Sequence, residues 1–205
     1  VFIALYVDDC LCIGNDEAIK DLVKGMESQG LTLKIDEELT DYLSCQLVFS
    51  DDKTKLWIGQ PHLIKNLEKK FSSEVTRLQR YWTPGTPGVG VSRPKQDTDS
   101  SLLLSDKDQT LYRSGVGMLL FLVKHTRPDI ANPVRELSKV MDGATIAAMK
   151  ELKRVVKFVL DTRDHGLVIK PKEPDGPNWD LIMYTDSDYA GDKDCGISVT
   201  GYILY

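Results

Sequence analysis

The 205-residue sequence lacks the features that would assign it to several common protein classes. It has no apolar run near the roughly 20 residues that a membrane-spanning helix needs. Its apolar residues 1–7 follow no basic stretch and precede no small-residue cleavage site, so we do not interpret them as a signal peptide. The 4 cysteines show no C-x-x-C spacing and the 3 histidines are scattered, which argues against structural zinc and against a disulfide framework. We expect reduced thiols in an intracellular protein that is neither secreted nor in a membrane.

An excess of basic charge is also missing. The formal net charge is -5 and the sequence pI is about 5.3, which counts mildly against a compact nucleic-acid binder. The total hides two local basic stripes, however. The first precedes a linker and contains Lys65, Lys69, Lys70, Arg77 and Arg80. The second lies on one face of a predicted helix, at positions i, i+3, i+4 and i+7, and contains Lys150, Lys153, Arg154 and Lys157. A charge run usually forms a solvated face, so neither stripe alone indicates a nucleic-acid site.

The first half of the chain combines strand and helix patterns. A hydrophobic content of 41% suits a globular protein with one or two domains. Two short apolar runs around Asp8 and Asp9 are typical of a β-hairpin. A helix follows that Asn15 or Asp16 can cap and that Gly30 can end. After it we expect strands over 31–35, 42–49 and 55–58, and then a helix over 61–71.

The second half opens on a segment rich in Pro, Gly, Ser and Asp, which predicts a flexible surface loop. Ser105 and Asp108 have capping-box spacing at the start of a helix. Pro128 ends that helix and can start another, and a third helix runs over 145–161. Strands return over 167–169, 181–185 and 199–205, so the fold class is α+β. The predicted parts of the chain are 1–82, a linker over 83–104, a helical region over 105–170, and 171–205, with a boundary near 171–178.

The strongest local indication of chemistry is the pair of carboxylates at Asp8 and Asp9. A turn can bring both side chains to one point, where like charges repel unless a cation lies between them. Mg²⁺ accepts carboxylate oxygens and leaves room for substrate phosphates. Polymerases use two such ions to hold the attacking and leaving oxygens of an in-line displacement. The plainer interpretation is a solvated surface turn, and the apolar flanks and the preceding Tyr6 argue against it.

The motif Y-V-D-D at 6–9 resembles the Y-x-D-D hairpin of reverse transcriptases, and the segments after it resemble that family in order. The helix over 16–30 is similar to the palm helix that follows that hairpin. The motif L-T-L-K at 31–34 is similar to a loop in which these enzymes often place a lysine. The motif Y-L-S-C-Q-L at 42–47 resembles a strand that packs against the primer end. The motif G-Q-P-H-L-I at 59–64 resembles the start of the thumb.

Two later blocks resemble the polyproteins of copia-type retrotransposons more specifically. One is Y-R-S-G-V-G-M-L-L-F-L at 112–122, continued by T-R-P-D-I-A. The other is Y-T-D-S-D-Y-A-G-D at 184–192, closing with S-V-T-G-Y, which resembles the family's entry into ribonuclease H. Since the matches cover nearly the whole chain in the expected order, the chain resembles a copia-type Pol segment that runs from the catalytic hairpin into ribonuclease H.

This resemblance implies a fold and an activity. The fold would be a partial reverse-transcriptase palm and thumb, a helical connection, and the first strands of a ribonuclease H-like sheet. The activity would be RNA-directed DNA synthesis with two Mg²⁺ or Mn²⁺ ions. The implied partners are an RNA template, a DNA or RNA primer, deoxynucleoside triphosphates and the rest of the Pol polyprotein, in a cytoplasmic particle or the nucleus.

The resemblance also implies roles for individual residues. Asp8 binds the catalytic metal ions, Asp9 supports them, and Lys34 donates a proton near the leaving pyrophosphate. Asp186 is the first metal ligand of the ribonuclease H site. Beside a polymerase palm, the basic stripes are best interpreted as neutralising phosphates. The residues expected to contact nucleic acid are Tyr6, Tyr42, Lys65, Lys69, Lys150, Lys153, Arg154 and Lys157.

Both ends of the chain predict a fragment. There is no initiator Met, and the sequence opens and stops inside predicted strands. The family's other polymerase aspartate lies before Val1 and its remaining ribonuclease H acids lie after Tyr205. We therefore expect the fragment alone to be inactive.

Plainer structural interpretations compete with these roles. The block at 112–122 fits an apolar helix with a tight glycine contact, and Arg127 fits a cap on helix carbonyls. Asp186, Asp188 and Asp192 fit a solvated acidic loop.

Two other functions stay open. Another palm-type nucleotidyl transferase, such as a primase or a nucleotide cyclase, also carries acids on a hairpin, but the later blocks have no place in it. A decayed element would leave a non-catalytic binding module at most.

Overall fold

The computed structural model describes residues 1–36, 38–95, 97–170, 182–192 and 195–204. Within these ranges it contains five α-helices and small antiparallel sheets, so the predicted α+β class is confirmed. The boundary expected near 171–178 lies outside the described residues. None of the described helices is long and apolar enough to cross a membrane.

The order of elements follows the predicted alternation of strands and helices. The helices are α1 (Asp16–Ser28), α2 (Pro61–Val75), α3 (Asp106–His125), α4 (Ala131–Ser138) and α5 (Ile146–Asp161), with 3-10 turns at Ser100–Leu102 and Pro128–Ile130. The strands are β1 (Phe2–Tyr6), β2 (Asp9–Ile13), β3 (Asp41–Tyr42), β4 (Cys45–Phe49), β5 (Leu56–Gly59), β6 (Leu167–Ile169), β7 (Met183–Ser187) and β8 (Thr200–Leu204). In the described ranges they form three sheets, in the orders β1-β2, β3-β4-β5-β6 and β7-β8.

Both predicted ends of α1 are confirmed. The side chain of Asn15 accepts hydrogen bonds from backbone N–H groups of the first turn. At the other end Gly30 has φ +85°, and its N–H donates to the carbonyl of Glu27 at 2.9 Å. The N–H of Leu31 donates to the carbonyl of Met26 at 3.3 Å, which completes the two-bond helix end that a left-handed glycine allows.

The strand predicted over 31–35 is wrong, and the one predicted over 42–49 is confirmed only for β4 and the end of β3, because a turn at 43–44 interrupts it. Residues 31–35 alternate apolar and polar side chains, but they pair with no described strand. Within 42–49, Leu43 and Ser44 have φ values of 48° and 65°, and the chain reverses there between β3 and β4. Two left-handed residues match the twist of a hairpin, but Gly and Asn are the usual residues at such positions. The residue types at 43–44 therefore do not indicate this turn.

The four-stranded sheet joins distant parts of the chain. Trp57 on β5 pairs with Val48 on β4 and with Val168 on β6. Because β6 follows α5, residues on both sides of the linker contribute to one sheet.

The hydrophobic core lies among α2, α3, α4 and α5. Burying one large apolar side chain contributes about 1.5–3 kcal/mol. The side chains with 0% exposure include Leu67, Phe71, Tyr112, Val116, Leu119, Leu122, Val134, Leu152, Val156 and Val159. The hydroxyl of Tyr112 donates to the carbonyl of Leu137 at 2.8 Å, and burial raises the pKa of Tyr112. The helices therefore form the packed body of the molecule.

Helix α3 meets α2 and α5 closely at Gly115. A Cβ atom at this position would lie 2.6 Å from Cζ of Phe71 and 3.1 Å from Cδ2 of Leu152. Real Cβ atoms do not approach that closely, so only glycine fits without a shift of its neighbours. The tight glycine contact predicted for 112–122 is confirmed.

Residues of the predicted linker pack on the helices. Thr86 donates to the carboxylate of Glu151 on α5 at 2.9 Å, and Nε of Arg93 donates to the carbonyl of Lys139 at 3.2 Å. A cavity of about 710 Å³ lies between this segment and α4 and α5. The segment forms a surface loop with little regular structure, as predicted, and hydrogen bonds tie two of its residues to distant helices.

The cap predicted for Arg127 is confirmed. This side chain is 1% exposed, and its guanidinium donates to the carbonyl and the hydroxyl of Thr162 at 3.1 and 2.8 Å. It also donates twice to the carboxylate of Asp129, at 2.9 and 2.8 Å. Thr162 is the C-cap of α5, where a cation meets unpaired helix carbonyls.

Candidate active site

The β-hairpin predicted around Asp8 and Asp9 is present at the start of the chain. Tyr6 pairs with Asp9, so Val7 and Asp8 form the turn and Asp9 opens β2. The prediction that both aspartates lie in the turn is therefore corrected for Asp9. Val7 has φ 54°, a left-handed conformation that is costly for a β-branched residue. Such strain costs about 1–3 kcal/mol and clusters at functional sites, and no residue pattern in the sequence indicates it.

The two carboxylates are adjacent and open to solvent. Asp8 and Asp9 are both exposed, and carboxylate oxygens are the ligands that Mg²⁺ prefers. Among the residues that the structure describes, no three acidic, histidine or cysteine side chains converge on one point. The hairpin therefore presents two exposed carboxylates that could ligate a divalent cation, and no third such side chain joins them in the part of the chain that the structure describes.

A tyrosine joins the hairpin to the neighbouring sheet. The hydroxyl of Tyr42 on β3 donates to the carbonyl of Ala4 on β1 at 3.3 Å. Tyr42 is half-buried, whereas Tyr6 is 60% exposed. Of the two tyrosines predicted to contact nucleic acid, Tyr42 thus has a structural contact and Tyr6 presents an open ring beside the aspartates.

Lys34 lies in the irregular segment after α1. Its ammonium group is 3.5 Å from the carboxylate of Asp36, and its side chain is 89% exposed. The contacts described for Lys34 do not include Asp8 or Asp9, so its role at the leaving pyrophosphate stays a prediction.

Asp186 belongs to a second hairpin, in a different sheet from Asp8 and Asp9. It lies on β7 opposite Gly201 of β8, and it is exposed. The nearby Asp188 accepts a hydrogen bond from the N–H of Val199 at 2.6 Å, which fixes the loop beyond β7. Asp188 therefore has a structural partner, and the metal role of Asp186 stays a prediction.

Asp192 ties this second hairpin to the helical body. Its carboxylate lies 3.1 Å from the ammonium group of Lys139, which also lies 2.8 Å from Glu136 on α4. Burial lowers the pKa of Lys139, but hydrogen bonds to the Glu136 and Asp192 carboxylates outweigh burial and raise that pKa. The interpretation of this acidic loop as merely solvated is wrong for Asp192.

The basic stripe on α5 is largely occupied by interactions within the chain. Lys153 lies 2.6 Å from Glu74 on α2, and Lys157 lies 2.6 Å from Asp161. The guanidinium of Arg154 lies 4.3 Å from the ring centroid of Tyr81. These interactions reduce the positive charge that Lys153 and Lys157 can offer to phosphate.

Three other lysines predicted to contact nucleic acid lack the intrachain ion pairs of Lys153 and Lys157. Lys65, Lys69 and Lys150 are exposed and form no ion pair with the described carboxylates. A neighbouring residue that the sequence patterns did not indicate is Trp82, which is 83% exposed at the end of the α2 basic stripe.

Comparison with known proteins gives whole-chain similarity to transposon polyproteins. The chain is 33% identical over 205 residues to the retrovirus-related Pol polyprotein from transposon RE1 of Arabidopsis thaliana. It is 30% identical over 207 residues to that from transposon RE2 of the same plant, and 27% identical over 204 residues to that from transposon TNT 1-94 of Nicotiana tabacum. All three alignments cover 100% of this chain.

The chain spans only a small part of these relatives, namely 13% of the first two and 15% of the third. No family model matches the chain. No solved structure matches it significantly.

Proposed function

Because this chain belongs to the retrovirus-related Pol polyproteins of copia-type transposons, we propose that it forms part of their RNA-directed DNA polymerase and the start of their ribonuclease H. In this proposal residues 1–82 are the end of the palm and the start of the thumb, 105–170 are the helical connection, and 171–205 begin the ribonuclease H sheet. The template is RNA, the primer strand is DNA or RNA, and deoxynucleoside triphosphates are the substrates.

The observation that carries the proposal is the hairpin at the start of the chain. It brings Asp8 and Asp9 to one exposed end of a two-stranded ribbon, next to a strained Val7. Adjacent carboxylates repel each other, so the arrangement favours a bound divalent cation. Left-handed residues also form the turns at Leu43 and Lys53, so the paired acids carry the proposal and the backbone conformation of Val7 does not.

The chain's own residues then have distinct tasks. Asp8 and Asp9 supply the oxygen ligands that would hold Mg²⁺ or Mn²⁺, and the bound ions would stabilise charge on the oxygens of the transferred phosphate. Tyr42 anchors the hairpin through Ala4, and the open ring of Tyr6 faces solvent beside the site. Lys34 has the long, flexible side chain that donating a proton to the leaving pyrophosphate requires.

The exposed lysines support the nucleic-acid part of the proposal. Lys65 and Lys69 lie one turn apart on α2, and Lys150 lies on α5, which packs against α2. Exposed lysines that are not neutralised by carboxylates are suited to contacts with phosphates.

The proposal is tested by substituting Asp8→Asn in the complete polyprotein. We expect primed RNA-templated DNA synthesis to fall by about two orders of magnitude or more, because the amide cannot supply the charge that a metal-bound phosphate transfer needs. Circular dichroism should be unchanged, since Asp8 is exposed.

The matched control is Asp51→Asn, which changes an exposed aspartate in another hairpin turn. This variant should retain DNA synthesis. Primer extension at the wild-type rate by Asp8→Asn would refute the catalytic assignment of the hairpin.

A further inference from the structure

An aromatic and cationic patch lies where α2 ends and the chain turns toward the linker. We define it as Arg77, Arg80, Tyr81, Trp82 and Arg154. Trp82 is 83% exposed, which leaves most of a large ring in water. Trp and Tyr rings, which combine a large apolar face with a polar atom, are enriched at binding interfaces. The patch is therefore a candidate binding surface.

Cations hold the two rings in place. The guanidinium of Arg154 lies 4.3 Å from the ring centroid of Tyr81 and donates to the carbonyl and hydroxyl of Thr83, at 3.3 and 3.0 Å. The guanidinium of Arg80 lies 5.0 Å from the centroid of Trp82. Both distances are within the range of a cation–π interaction. The aromatic rings are thus oriented before any ligand arrives.

The positive charge of the patch is not neutralised by neighbouring acids. Within the described part of the chain, Arg77, Arg80 and Arg154 form no ion pair with a carboxylate. Nearby Glu74 is instead paired with Lys153, and Glu151 accepts a hydrogen bond from Thr86. Arg154 is engaged with Tyr81 and Thr83, so the guanidinium groups of Arg77 and Arg80 are the two that remain available to an anionic ligand.

We infer that this patch binds single-stranded nucleic acid, with a base stacked on Trp82 and the neighbouring phosphates near Arg77 and Arg80. Exposed aromatic rings beside arginines are suited to this ligand, because every base offers a flat π-face and every nucleotide a phosphate. A duplex fits less well, since its base faces are already stacked on each other. This inference rests on the proposed function and adds to it a binding surface for an unpaired strand.

The test uses the full 205-residue chain and fluorescently labelled 16-nucleotide probes of oligo-dT and oligo-U. Trp82→Ala should weaken binding of both probes by about tenfold, since alanine offers no ring on which a base can stack. Trp82→Phe should retain most of the affinity, because phenylalanine keeps a π-face. The matched control is Trp57→Phe, on the half-buried Trp57 of β5, and it should bind as the wild type does.

Salt dependence separates stacking from charge. Arg77→Ala and Arg80→Ala should each lower the slope of log affinity against log salt by about 0.7, the value for one phosphate neutralised on a single strand. Trp82→Ala should leave that slope unchanged. A difference between the two probes would indicate whether the strand is preferentially DNA or RNA, and binding of either one supports the inference.

The inference would be overturned if Trp82→Ala bound the single-stranded probes as tightly as the wild type does. It would also be overturned if Trp82→Ala weakened binding of a 16-base-pair duplex as much as binding of the single strands. The same holds if a poly-glutamate peptide of the same charge displaced the probes as well as an unlabelled single strand does. These results are distinguishable from failure of the proposed function. Loss of single-strand binding in Trp82→Ala together with normal DNA synthesis by Asp8→Asn would refute the catalytic hairpin alone.

Discussion

The ammonium group of Lys139 lies 3.1 Å from the carboxylate of Asp192, and this ion pair joins the second hairpin to the helical body. Both side chains are largely buried, with exposures of 14% and 12%. A partly buried and hydrogen-bonded ion pair is stronger than one at the surface. This ion pair is therefore one link between the β7–β8 hairpin and the helical body.

Asp192→Ala should loosen the second hairpin while leaving the helical core intact. We expect amide hydrogen exchange over 183–187 and 200–204 to become about tenfold faster, which corresponds to roughly 1.4 kcal/mol. Exchange in α3 and α5 should not change. Equal exchange in the variant and the wild type would mean that other interactions hold the hairpin.

The pH dependence of this ion pair has a definite sign. The pKa of Lys139 is raised, so folding stabilises its protonated form. The contribution is fully present below the unfolded value of about 10.4, and it is lost as the pH rises through the folded pKa. A chemical-shift titration of the Lys139 side chain should give a midpoint above that of an unpaired lysine, and Asp192→Ala should lower that midpoint. A midpoint that the substitution leaves unchanged would contradict this assignment.

Gly115→Ala should destabilise the fold although alanine favours helices. The new Cβ atom would lie 2.6 Å from Cζ of Phe71, and overpacking of a core costs about 1–3 kcal/mol. Gly117→Ala is the control in the same helix, because nothing lies within 4 Å of its Cβ position. It should stabilise by up to about 1 kcal/mol. Urea unfolding measures the change in unfolding free energy for each variant. A change of the same sign in both variants would rule out the tight contact at Gly115.

Arg127→Met should cost on the order of 3 kcal/mol of unfolding free energy. The substitution removes a fully buried guanidinium and leaves the Thr162 carbonyl and the Asp129 carboxylate without these donors. Arg163→Met removes an exposed pair with Glu68 and should change stability by less than about 1 kcal/mol. Comparable urea midpoints for the two variants would show that Arg127 has no special structural role.

The lysines of α2 should contribute more to nucleic-acid binding than the paired lysines of α5. Replacing Lys65 and Lys69 with alanine should lower the salt slope of template-primer binding by about 0.9 for each phosphate that is no longer neutralised. The control removes a neutral pair, Lys153→Ala with Glu74→Ala, and should leave the slope unchanged because the two charges already compensate. If the salt slope fell equally in the Lys65/Lys69 variant and in the Lys153/Glu74 variant, Lys153 would also contact nucleic acid.

The sequence patterns correctly predicted the features that depend on residues close together in the chain. The caps of α1 and the reciprocal hydrogen bonds between Ser105 and Asp108 at the start of α3 follow from residues within a few positions of each other. The hydroxyl of Ser105 accepts from the N–H of Asp108 at 3.2 Å and donates to its carboxylate at 2.7 Å. Amphipathic spacing was sufficient for the helices because their apolar faces meet in one core.

Features that depend on distant partners were not predictable in this way. The sequence indicated a helix face with four basic residues, but the ion pair between Lys153 and Glu74 depends on how α5 packs against α2. The turn at Leu43 is likewise imposed by pairing between β3 and β4, against the usual turn preferences. At the candidate site, the sequence identified Asp8 and Asp9, whereas the strain at Val7 is visible only in the backbone conformation.

The pairing of β5 with β6 also constrains the order in which the chain can fold during synthesis. Leu56 and its partner Ile169 are separated by roughly 110 residues, so the sheet cannot close until α5 has left the ribosome. Until then β5 has one open edge, which can pair with another chain. If translation of this polyprotein segment stopped between α2 and β6, the edge of β5 would therefore stay exposed, and the four-stranded sheet would lack β6.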